Sequence, residues 1–183
     1  LLKVLGIDPG SITTGYALVQ EGARGHHRAV SFGEISPRPG SSLPERLLCL
    51  SEAIEKVMDE HNPAVLAIES VFFAKNARSS LVLGHARAVP LLLAARRGLQ
   101  VFEYEPRMVK LAVTGTGTAT KQQVQKMAGL LLDIDDMPGP DASDALAVAI
   151  CHLFRAGGRS APGASTRGLP RTWRAMRTLK TRQ

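Results

Sequence analysis

Hydrophobic positions recur along this chain with two different periods, and the switches between them mark its elements. An apolar run over 3–8 stops at Pro9-Gly10; 13–20 alternates and is rich in strand formers; 28–36 follows a break at Glu21-Gly22. Turn residues at those breaks predict three strands in an antiparallel meander. Ser42-Leu43-Pro44-Glu45 then has capping-box spacing with a proline in the first turn. Leu47, Leu50, Ile54, Val57 and Met58 recur at helical spacing until His61-Asn62-Pro63. The continuous apolar run 65–69 predicts a strand buried on both faces.

The second half alternates more regularly between the two periods. A loop with Phe72 and Phe73 leads to a helix over 79–97, in which Pro90 is expected to introduce a kink or limit regularity. A strand over 99–103 and a short helix over 107–113 follow, then a Gly- and Thr-rich loop over 114–119. Thr120-Lys121-Gln122-Gln123 opens a helix with Val124, Met127 and Leu130 on one face. Pro140 opens the last helix, striped by Ala145, Leu146, Ala149, Ile150 and Leu153. The order βββ-α-β-α-β-α-α-α predicts an α/β domain over 1–156. Past Ala156 the composition turns to Gly, Ser, Pro and Arg, and 157–183 is expected to be a disordered tail.

Charge separates the same two regions. All 16 acidic residues lie in 1–156 with 16 of the 23 lysines and arginines, so the body is formally neutral. The other seven basic residues, from Arg159 to Arg182, have no acid among them. Such a tail either contacts a polyanion or is simply solvated. The longest apolar run, 88–95, is too short for a bilayer and contains Pro90, so no membrane partner is expected. The first residues, Leu1-Leu2-Lys3-Val4, carry no leader pattern, and Cys49 and Cys151 read as reduced core thiols; a cytoplasmic location is expected.

Four carboxylates stand where chemistry is expected. Asp8 and Glu69 end apolar strands, and Asp141 and Asp144 are three apart at a helix start, on one helical face. Each has a plain structural alternative. Asp8 could cap its own turn, Glu69 could exit to solvent, and the helix-start pair could complement the helix dipole. As a set they make an oxygen-only cage of the kind Mg²⁺ favours. Two such ions roughly 4 Å apart can clamp both the attacking and leaving oxygens of a phosphodiester. The five histidines are scattered, and the two cysteines have no metal-type spacing.

Longer motifs surround these acids. They are Gly6-Ile7-Asp8-Pro9-Gly10 with Thr14-Gly15-Tyr16, Ile68-Glu69 with 72–76 and Leu83-Gly84-His85-Ala86-Arg87, Val113-Thr114-Gly115-Thr116-Gly117 with Lys121-Gln122-Gln123-Val124, and Asp141-Ala142-Ser143-Asp144-Ala145-Leu146-Ala147. In this order the chain resembles the RuvC family of Holliday-junction resolvases across nearly all of 1–156, with the tail outside the resemblance. The resemblance implies a ribonuclease-H-like fold, a mixed five-stranded sheet flanked by helices, and Asp8, Glu69, Asp141 and Asp144 as catalytic metal ligands. It implies Lys110 and Lys121 beside the scissile phosphate and Phe72 stacking near the junction centre; Lys75 and Arg78, which flank the same loop as Phe72, are expected to hold phosphates. It further implies Mg²⁺, with Mn²⁺ as a substitute and two ions per site, a homodimer nicking two like-polarity strands of a four-way junction, and a RuvA–RuvB branch-migration partner. Pro90 departs from the family pattern, in a helix that the family would place at the dimer interface.

Two readings of other classes fit the residues less well. An ATPase of the actin and sugar-kinase type opens with a similar Gly-Ile-Asp turn, but needs two such domains and a second phosphate loop; 114–118 lacks the lysine-serine pattern of a P-loop. A junction-binding module that does not cut would have no need of all four acids.

Overall fold

The computed structural model describes residues 1–70, 77–136 and 138–157, with the Arg24 side chain excepted. Strands β1 (Lys3–Asp8), β2 (Thr14–Gln20) and β3 (Arg28–Ile35) form the expected meander, antiparallel throughout. Helix α1 (Leu43–His61) leads to β4 (Val65–Glu69), and α2 (Ala77–Arg96) to β5 (Gln100–Tyr104). Both of these strands join in parallel, giving one mixed sheet in the order β3-β2-β1-β4-β5. Helices α3 (Pro106–Thr114), α4 (Lys121–Leu132) and α5 (Pro140–Ala156) complete the described chain.

Strand alternation divides the core into two layers. Val4, Ala17, Val19, Val65 and Ala67 face α3, α4 and α5, while Leu5, Ile7, Leu18, Leu66 and Ile68 face α1 and α2. Because β1 and β4 are central, both of their faces are dry, as the unbroken apolar runs predicted. Each fully buried Leu or Ile contributes about 1.5–3 kcal/mol relative to exposure.

The helix ends follow local chemistry. Glu45 accepts the Ser42 backbone N–H at 2.7 Å to start α1, and Asn62 ends it in the left-handed region at φ 48°. Thr120 and Gln123 form a reciprocal box at the start of α4: Gln123 Oε1 accepts the Thr120 N–H at 2.8 Å, and Thr120 Oγ1 accepts the Gln123 N–H at 3.3 Å.

Two sequence expectations need correction. Leu130 was expected on the buried face of α4 but is 43% exposed. The buried face runs through Val124, Ala128 and Leu132, with Gly129 beside it, because small residues let α4 approach α5. Helix α5 has no one-sided stripe. Every residue from Ala145 to Phe154 is buried, since the helix lies between the sheet and α3 and α4. Helix α2 is unbroken through Pro90, which is buried on the same face as Ala86 and Leu93. Its missing N–H leaves the Ala86 carbonyl without its usual helical donor.

Candidate active site

Sheet register brings the first two acids together. Ile7 pairs with Ile68 in parallel, so Asp8 and Glu69 end neighbouring strands and point to the face that α5 covers. The turn after β1 is held by Thr14, whose hydroxyl accepts the Gly10 N–H at 3.5 Å. Asp8 is therefore not spent on its own turn and faces Glu69 instead.

The other two acids arrive on α5, which lies unusually close to the sheet. A Cβ on Gly6 would fall on the Ala145 carbonyl, and one on Gly15 would fall on the Asp141 carbonyl. Glycine at these positions lets the start of α5 settle against β1 and β2. Carboxylate oxygens of Asp8, Asp141 and Asp144 then lie within 4.8 Å of one another.

Electrostatics registers the crowding. Burial, then the charges of Glu69 and Asp144, push the Asp8 carboxyl up to about 8. Burial also raises Glu69, against a hydrogen bond with Asp8 and the nearby charges of Lys121 and Lys110. Both carboxyls of the Asp8–Glu69 pair are therefore raised, burial being the first cause for each. Asp141 is raised by burial and by the charge of Glu34. Lys121 Nζ sits 2.6 Å from Asp144 Oδ2, and that contact holds the lysine above its ordinary range. Asp8, Glu69, Asp144, Lys110 and Lys121 share one open cleft of about 420 Å³.

The donor set fits a hard divalent cation. Three carboxylates at ligand spacing offer only oxygen, and the Asp8 carboxylate, disfavoured first by burial and then by the charges of Glu69 and Asp144, is one that a cation would stabilise. Among the described residues no histidine or cysteine joins the cluster. Glu69 stands beside it, against Asp8.

Six of the expected site residues therefore converge: the four acids and both lysines. Phe72 and Lys75 lie outside the described residues. Arg78 is exposed in the first turn of α2 and does not line the cleft. Of the two thiols, Cys151 is buried, which pushes it up to about 12 and leaves it chemically inert, while Cys49 is half-buried.

Two residues with no assigned role bear on the site. Arg87, mostly buried on α2, donates through Nη1 to the Glu69 carbonyl and pairs through Nη2 with Glu103 at 2.6 Å, tying β4, β5 and α2 together beneath Glu69. Glu34 on β3 accepts the Asp141 N–H at 3.0 Å. Neither is legible from spacing, because each partner is distant in sequence. The one available signal for Arg87 was its position in the second motif.

A mixed five-stranded sheet, with acids closing two neighbouring strands and two more on the helix packed over them, puts the chain in the class of ribonuclease-H-like nucleases. A family model for "Crossover junction endodeoxyribonuclease RuvC" matches residues 4–152. A protein of that name from Hahella chejuensis is 49% identical over 153 residues, covering 84% of this chain and 88% of its own length. Another from Chromohalobacter salexigens is 44% identical over 177 residues, covering 95% of this chain and 94% of the relative. That coverage leaves too few residues over for the whole tail to be unmatched, so the tail is not entirely outside the likeness. Thermus thermophilus RuvC in complex with a Holliday junction substrate superimposes with TM-score 0.79 at 30% identity, covering 85% of this chain and 95% of that one. A yeast mitochondrial Holliday junction resolvase shares the fold, with TM-score 0.60 at 14% identity over 82% of this chain and 77% of that one. The chain belongs to the RuvC family of crossover junction endodeoxyribonucleases.

Proposed function

We propose that this endonuclease resolves four-way DNA junctions in recombination and repair, nicking two like-polarity strands symmetrically to leave 5′-phosphate and 3′-hydroxyl ends. The observation that carries the reading is the Asp8–Asp141–Asp144 cluster flanked by Lys110 and Lys121, in a family whose Thermus member has been solved with a junction bound. Asp8, Glu69, Asp141 and Asp144 would hold two Mg²⁺ ions, with Mn²⁺ as the substitute. Metal bound there would supply Lewis-acid polarisation of the phosphodiester and acidification of a water.

The chain's own groups do the rest. Lys121, fixed by Asp144, places a positive charge where the phosphate gains charge, and Lys110 adds a second from α3. Phe72, three positions after Glu69, stacks on an unpaired base at the junction centre; such contacts are worth roughly 1–3 kcal/mol. Lys75 and Arg78 hold phosphates, and the basic tail adds salt-dependent affinity without choosing sequence. Domain 1–156 forms the nuclease unit and 157–183 the tail.

A four-way junction is two-fold symmetric, which suits a C2 dimer. Leu81, Ala88 and Leu92 lie exposed along one face of α2, with Leu81 64% and Leu92 61% accessible. That face supports α2 as the dimer helix. Leu92→Glu is expected to give a folded monomer in analytical ultracentrifugation, with paired nicking lost. A dimer of unchanged affinity would rule this face out. The RuvA–RuvB motor is the partner that family membership supports. A cytoplasmic setting belongs to the same reading; separately, no helix among the described residues is long and apolar enough to cross a membrane.

Substrate class is tested by offering a mobile four-way junction, a linear duplex and an RNA–DNA hybrid with Mg²⁺, Mn²⁺ or EDTA. Metal-dependent cutting of the junction alone is expected. Cutting of the hybrid alone would place the chain on another branch of the same fold.

A further inference from the structure

The first turn of any helix leaves backbone N–H groups without helical partners, and a Ser, Thr, Asp or Asn at the N-cap usually accepts one. Helix α5 begins without that provision. Its N-cap is Gly139 and its first residue is Pro140, so neither offers an accepting side chain. The donors left over belong to Asp141 and Ala142, the two positions that an N-cap side chain would serve.

Glu34 serves them from another strand. Its Oε1 lies 3.0 Å from the Asp141 N and 3.5 Å from the Ala142 N, although β3 is more than a hundred positions earlier in the chain. A Cβ on Gly139 would fall on this carboxylate, with Glu34 Cδ 2.7 Å and Oε2 3.1 Å away; its three nearest neighbours are all Glu34 side-chain atoms. Gly139 leaves open the space that Glu34 fills. Glu34 is also the cross-strand partner of Gly15, the residue whose missing Cβ makes room for the Asp141 carbonyl. One β2–β3 pair therefore holds the Asp141 peptide at both ends, taking its N–H on one side and clearing its C=O on the other.

Building on the metal-nuclease reading above, we propose that Glu34 is a positioning residue: a helix cap supplied from β3 that sets where the Asp141 and Asp144 carboxylates stand. It does not touch the reacting atoms. It fixes the backbone that carries two of the ligands, as partners behind a metal ligand do, and loss of such partners costs roughly 10–100-fold in metal affinity.

Four variants test this: Glu34→Ala, Glu34→Gln, Gly139→Asp and the double variant Glu34→Ala/Gly139→Asp. Each is titrated with Mn²⁺ by electron paramagnetic resonance, melted without metal, and assayed for junction nicking. For Glu34→Ala, half-saturation by Mn²⁺ should rise about 10–100-fold. Its Tm should fall by about 2–4 °C, and kcat should suffer more than KM. Glu34→Gln should stay close to wild type, because its amide oxygen still accepts both N–H groups. Gly139→Asp alone should be mild, because the end of the Glu34 side chain can swing aside while the new carboxylate caps the turn. In the Glu34→Ala background the same substitution should restore Mn²⁺ affinity and Tm, because Asp at 139 caps the turn from within the vacated space. The proposal is overturned if Glu34→Gln loses Mn²⁺ affinity as badly as Glu34→Ala, which would make the charge a ligand. It is equally overturned if Glu34→Ala leaves the titration unchanged, or if Gly139→Asp fails to rescue it. If the wild type binds Mn²⁺ but cuts no junction, the substrate reading fails on its own; titration and melting still decide the role of Glu34.

Discussion

Asp8→Asn is expected to abolish junction nicking while raising the melting temperature of the metal-free protein at pH 8. The two effects share one cause. Asp8 is pressed against Glu69 and Asp144 in a partly buried site, and its carboxyl is pushed up to about 8. In the unfolded chain it titrates near 4. An acid raised in this way contributes its full stability below its unfolded value and loses it as pH rises towards the folded one. The metal-free protein should therefore lose stability between about pH 4 and pH 8 through this group. Asparagine carries no charge and removes that dependence, so variant and wild type should converge toward pH 4. The same change removes an anionic ligand from the cluster. Losing several kcal/mol of transition-state stabilisation slows cutting on the order of 10³-fold or more. Melting in EDTA across pH, beside nicking in Mg²⁺, checks both arms. Retained nicking would remove Asp8 from the ligand set, and a lower Tm at pH 8 would contradict the crowding.

Gly15→Ala is the second large effect, and it acts through backbone. The added methyl would fall on the Asp141 carbonyl, with Asp141 C and Ala142 N also inside normal contact. No side chain there can swing aside, so α5 must lift from β2. Overpacking of this kind costs roughly 3 kcal/mol, at the upper end of its range. Nicking should fall further than stability alone explains, because a displacement of about 1 Å at a catalytic group costs on the order of 100-fold. Thermal melting and single-turnover nicking measure the two losses separately. An unchanged Tm would mean that α5 does not sit as closely on the sheet as these glycines imply.

Legibility in the sequence followed the range of the interactions. The meander, α1 and β4 were readable because alternation, capping boxes and Pro-Gly turns act within a few residues. The faces of α4 and α5 were misread because only tertiary contacts decide them. Leu130 is as apolar as Leu132, but the approach of Ala128 to α5 turns it outward. The four acids could be grouped because each marks an element end, whereas parallel pairing of Ile7 with Ile68 is what places Asp8 beside Glu69. Lys110 and Lys121 came from resemblance rather than spacing, and the cleft now places both beside the acids. Glu34 was invisible because its partners at 141 and 142 are backbone amides, which carry no sequence signature.

The proposed function requires one acidic cleft per subunit to cut a four-way junction in matched pairs. The most direct measurement labels each strand of a mobile junction in turn, maps the nicks after Mg²⁺ is added, and then supplies DNA ligase. Symmetric nicks in two like-polarity strands are expected, absent with EDTA and fully resealed by ligase. Unpaired nicks spread over all four strands, or ends that ligase cannot join, would contradict it.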